Sequence, residues 1–80
     1  MQSFKELLET EHSLICRREK NFDERVKLLY KLEECRLSKE EREEIEDAVA
    51  VSNGTEIRFD AEIKRVRLDM KRYILKLMEA

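Results

Sequence analysis

Eighty residues make one domain at most, and a chain of this size rarely buries enough apolar surface for large stability alone, so a staple or a partner is the usual supplement. Proline and tryptophan are absent, there is a single glycine, and 45% of the residues are charged in mixed sign; this excludes sheet-rich and turn-rich folds and is the composition of long exposed helices. The net charge of −2 argues against a nucleic-acid partner, which needs a cationic surplus, and no apolar run approaches the roughly 20 residues that span a bilayer, so stable membrane insertion is not expected.

Cys16 and Cys35 have no Cys-x-x-Cys spacing, and no leading apolar segment reads as a signal peptide. The expectation is two reduced thiols in a cytoplasmic protein. With disulfide staples set aside, a partner is the remaining source of extra stability.

In chain order, Ser3-Phe4-Lys5-Glu6 is a capping box that starts a helix at Phe4. Phe4, Leu7, Leu8, Leu14 and Ile15 fall on one side at helical spacing. Glu9 to Ser13 lacks a large apolar residue, which predicts partial cover or fraying there. Asn21-Phe22-Asp23 is the next weak point, where Asn21 or Asp23 can cap a second helix; nothing in Arg17 to Lys20 forbids an uninterrupted one. Phe22, Val26, Leu28, Leu29, Leu32 and Cys35 cover more than half of the circumference that follows, which predicts at least two neighbours. Tyr30 lies at the edge of that band.

Ser38-Lys39-Glu40-Glu41 is a second capping box, and the acidic residues Glu43, Glu44, Glu46 and Asp47 complement the positive end of a helix dipole. A helix starts at Lys39, and the link around Arg36 to Ser38 suits a turn between antiparallel helices. From there Ile45, Val49, Ser52, Glu56, Phe59, Ile63, Val66, Met70, Tyr73 and Leu77 alternate at spacings of four and three, a heptad seam with Ser52 and Glu56 as its polar members. Asn53-Gly54 ordinarily signals a turn. A loop resets the helical phase, though, and here the phase is kept, while one glycine costs a helix only about 1 kcal/mol. The expectation is one continuous helix from Lys39 to about Met78.

A second stripe, Ile57, Ala61, Leu68 and Leu75, lies well round that helix from the seam. The chain's own remaining helices can cover one stripe; the other needs a further surface. The basic residues Arg58, Lys64, Arg65, Arg67, Lys71, Arg72 and Lys76 are read as a solvated face balanced by pairs such as Asp60–Lys64, with an acidic protein partner or a membrane surface as the other readings.

No motif carries chemistry. His12 and Cys16 share a helix face at i, i+4, but a closed metal site needs four ligands, and only Cys35 and a glutamate are there to complete it. The Glu-x-x-His motif of carboxylate bundles occurs once, ending at His12, with no second copy. There is no phosphate loop and no second histidine for an acid–base relay. The expectation is no enzyme, no catalytic residues, no metal and no cofactor.

The stretch Arg17-Arg18-Glu19-Lys20-Asn21-Phe22-Asp23-Glu24-Arg25, then Leu37-Ser38-Lys39-Glu40-Glu41-Arg42, then the seam up to Leu77 resembles the small flagellar export chaperones of the FliT and FlgN type. In that group a short helix, a Leu- and Glu-rich second helix, a polar turn and a long C-terminal helix follow one another. The resemblance implies a cytosolic chaperone that shields an aggregation-prone helix of an exported flagellar or type III secretion subunit. The chain is shorter than that group's pattern.

These readings converge on a single all-α domain over residues 1–80, a three-helix arrangement of Phe4 to about Lys20, Phe22 to about Cys35, and Lys39 to about Met78. A short two-helix hairpin would pack on the long third helix. The function expected is a protein-binding chaperone or adaptor that takes a partner's amphipathic helix through Leu68, Met70, Ile74, Leu75 and Leu77. Core packing is expected more of Met70, Ile74 and Leu77 than of Leu68 and Leu75. The alternative is a structural coiled-coil dimer that meets a second copy of itself.

Overall fold

The computed structural model describes residues 2–34 and 36–79. The serine caps do what their spacing requires. The Glu6 amide donates to Ser3 Oγ at 3.2 Å and the Glu41 amide to Ser38 Oγ at 3.1 Å, each taking up an amide that the first turn leaves without a helical acceptor. Helix α1 runs over Phe4–Glu34 and helix α2 over Lys39–Glu79. Gly54 lies inside α2 with no positive φ, so the heptad phase is kept because the helix itself is unbroken.

The architecture is therefore all-α, but with two helices and not three. The break expected at Asn21-Phe22-Asp23 does not occur, and α1 passes through it. The reason is that the Asn21 side chain is engaged elsewhere. Its Nδ2 donates to the Ser52 carbonyl oxygen at 2.9 Å, and Ser52 Oγ donates to its Oδ1 at 3.1 Å. An amide that could have capped a helix instead joins two helices. Of the two outcomes expected over Glu9 to Ser13, partial cover is found and fraying is not: those residues are helical, with Thr10 and Glu11 half-buried and the others exposed.

Pairs along the two helices descend in step, Phe4 with Tyr73, Glu11 with Arg67, Arg18 with Asp60, and Arg25 with Asn53. The helices are thus antiparallel neighbours in one long hairpin, 64 × 16 × 14 Å. The heptad seam of α2 faces α1. Ser52 and Ile63 are buried there, and Ile45, Val49, Phe59, Val66, Met70 and Tyr73 are half-buried. From α1 the buried members are Leu7, Leu14 and Arg25.

This core is thin, since a pair of helices has one contact line and no inside. Phe22 and Leu29, expected to meet a second neighbour, stay 49% and 43% exposed. Cys35, the last member of that expected band, lies outside the described residues.

Candidate protein-binding surface

The seam is held by polar groups through its middle third. Arg25, the most buried charged residue, donates from Nη1 to Asn53 Oδ1 at 2.7 Å and to Glu56 Oε2 at 3.1 Å, and its guanidinium carbon sits 5.3 Å from the Phe22 ring centroid. One turn along comes the Asn21–Ser52 pair. Arg18 then meets Asp60 at 2.8 Å and Arg67 meets Glu11 at 2.7 Å. The hydrogen bond that Arg18 donates to Asp60 raises the Arg18 pKa, with desolvation opposing it. Asp60 was expected to pair with Lys64 on its own helix; the structure gives it to Arg18 across the hairpin.

The signs along α1 read minus, plus, plus at Glu11, Arg18 and Arg25, and plus, minus, minus at their partners. Sliding the helices by one heptad would oppose Arg18 with Arg67, so the ladder sets register more than it adds stability. At one end of it, Phe4 and Tyr73 stack at 5.7 Å between centroids. Because α1 begins opposite Tyr73, the last turns of α2 project past the contact line.

That projection decides the expected binding residues. Leu68 and Leu75 point away from α1 and are 48% and 50% exposed. Ile74 and Leu77, expected in the core, are exposed as well: Leu77 lies past the start of α1, and Ile74 is off the seam, turned aside from Tyr73. Met70 alone of the five is half-buried in the seam, so it belongs to the hairpin contact. The structure thus leaves Leu68, Ile74, Leu75 and Leu77 all exposed, but only Leu68 and Leu75 share a line on the outer face; Ile74 lies between that line and the seam, Leu77 is on the seam side past the end of α1, and Met70 is in the hairpin contact. Ile57 and Ala61, earlier on the second stripe, are exposed too.

No family model matches this chain, and no curated protein or solved structure is similar to it.

Sequence reasoning missed one further row. Leu8, Phe22 and Leu29 on α1 are all exposed and Ile15 is half-buried between them; the signal was present as a strict spacing of seven. His12 Nε2 and Cys16 Sγ lie 3.6 Å apart on the exposed side of α1. Among the described residues no group of three or more metal-ligating side chains forms; Cys35, the cysteine that could have completed such a site, lies outside the described residues. No helix of the described residues is long and apolar enough to cross a membrane.

Proposed function

We propose that this chain acts as a chaperone or adaptor in the cytoplasm, and not as an enzyme, by binding another protein helix to helix. The observation that carries this reading is the outer face of α2: Leu68 and Leu75, two turns apart on one line, stay about half exposed, with the exposed Ile57 and Ala61 earlier on the same stripe. Clustered leucines on a surface that is otherwise charged mark a binding face, and a straight helix face at heptad spacing fits a second helix. On the resemblance to export chaperones, the client would be an aggregation-prone helix of an exported flagellar or type III secretion subunit. The alternative, a structural dimer without a client, uses the same face and differs only in what covers it.

The test is Leu68→Glu combined with Leu75→Glu. Neither side chain faces α1, so helicity by circular dichroism and cooperative unfolding are expected to survive, while association measured by light scattering and pull-down is lost. Loss of folding would place the two leucines in the core. A folded variant that keeps every partner would move the binding surface elsewhere. Met70→Glu is the contrast, expected to damage the hairpin itself.

A further inference from the structure

The outer face of α2 continues well beyond the two leucines. Ala50, Gly54, Ile57, Ala61, Lys64, Leu68, Lys71, Leu75 and Met78 follow one another at spacings of four and three without a break, and each is exposed. Alpha2 therefore carries two complete heptad seams, one covered by α1 and the other bare. The bare seam is graded along its length. Three of the four members of its first half are small (Ala50, Gly54 and Ala61, with Ile57 between them), and it is flanked by Glu43, Glu44, Glu46 and Asp47. Its second half is large (Leu68, Leu75, Met78) and flanked by Arg65, Arg72 and Lys76.

From this gradient we infer that the bare seam is covered by the same seam of a second copy of the chain, running antiparallel, so that two hairpins join back to back through α2. The inference rests on the reading that the outer face of α2 binds protein, and it names the occupant. A parallel pairing would set large on large, small on small, and Lys64 and Lys71 against their own copies. The antiparallel pairing reverses each of these. With the two-fold axis at the level of Phe59, the midpoint of Lys39–Glu79, the two α2 helices overlap along their whole length. Leu68 then meets Ala50 of the second copy, Ile57 meets its Ala61, the Lys64 stem crosses its Gly54, and Lys71 meets its Asp47. Beside that line Arg72 meets Glu44. Leu68 and Ile57 thus fall opposite alanines, and Lys71 and Arg72 opposite acidic groups, which is what knobs-into-holes packing and interface electrostatics favour; toward the ends Leu75 and Met78 lie over the stems of Glu43 and Glu40, and at the axis Arg58 meets its own copy on the solvent-facing flank.

Gly54 supports the same arrangement independently. A methyl group there would meet nothing within 4 Å, and the backbone does not use a positive φ. Nothing inside the hairpin calls for a glycine, and in mid-helix it is a weaker former than alanine. A second helix approaching closely at that point does call for a small residue.

The experiment has three arms. The chain as it exists is run in light scattering over a concentration series, and a dimer is expected. Lys71→Asp is expected to weaken the dimer at least about tenfold by opposing like charges across the interface, with helicity unchanged. Adding Asp47→Lys restores an opposite-charge pair and is expected to recover most of the loss. For direction, two proteins lacking the native thiols (Cys16→Ser, Cys35→Ser) carry Ala50→Cys in one and Leu68→Cys in the other. Antiparallel pairing gives disulfide cross-links only in the mixture, whereas parallel pairing gives them in each protein alone. A monomer at every concentration overturns the inference. If that monomer still takes another protein through Leu68 and Leu75, the broader binding reading stands without it. A dimer that Asp47→Lys does not rescue, or that cross-links within one protein alone, overturns the antiparallel seam.

Discussion

Arg25→Met removes the centre of the polar seam while keeping most of the aliphatic stem. Two charge-assisted hydrogen bonds from Nη1, at 2.7 Å to Asn53 and 3.1 Å to Glu56, are lost. The side chain of Arg25 is 10% exposed and that of Glu56 32%. A hydrogen bond to a charged group is worth about 1.5–3 kcal/mol. Here Glu56 and Asn53 both reach water once Arg25 is gone, so the stranded carboxylate is partly resolvated and the full penalty for an uncompensated buried charge does not apply. The expected net loss is about 1–2 kcal/mol, a fall in melting temperature of roughly 5–15 °C for a chain this size. Arg25→Ala also strips the stem from the seam and the cation from the Phe22 face, which adds about 1 kcal/mol. Replacing both partners, Arg25→Met with Glu56→Met, recovers most of the loss, since two apolar groups in a seam need no solvation. Urea unfolding followed by circular dichroism measures the parent, Arg25→Met, Arg25→Ala, Glu56→Met alone and the double variant; the midpoints carry the result if the slope is constant. If Arg25→Met unfolds at the parent midpoint, or the double variant loses the sum of the two single losses, the buried network is not coupled and the argument for it fails.

Gly54→Ala, measured in the Leu68→Glu/Leu75→Glu background to separate helix formation from association, is expected to stabilise the hairpin by about 0.5–1 kcal/mol, because alanine is the better helix former and the site is open. A lower melting temperature would contradict an unbroken α2. Ser38→Ala is expected to cost about 1 kcal/mol by leaving the Glu41 amide without its acceptor; an unmoved unfolding midpoint would place the start of α2 elsewhere. Arg67→Ala removes the exposed pair with Glu11, and the expected loss, below about 1 kcal/mol, shrinks further in added salt; a large, salt-independent loss would mean that Arg67 packs as part of the seam.

Much of the fold is local and could be read from residue order. The two serine caps place the helix starts at Phe4 and Lys39, the lack of proline leaves long helices unopposed, and the kept phase across Asn53-Gly54 marks α2 as one piece. The second stripe on α2 was legible for the same reason, as helical phase alone puts Leu68 and Leu75 far from Ile63 and Val66. Tertiary structure decided the rest. An Asn side chain at position 21 has the same chemistry whether it caps a new helix or bonds across to Ser52, and the choice depends on a residue 31 positions away. The same holds for Asp60, which Lys64 and Arg18 can both satisfy, the second only once the helices lie side by side. Leu77 sits on the seam by spacing but is bare, because burial needs an opposing turn, and the pairing of Phe4 with Tyr73 leaves none across from it. Spacing along one helix says which side chains share a face; only the register between two helices says which of them another residue covers.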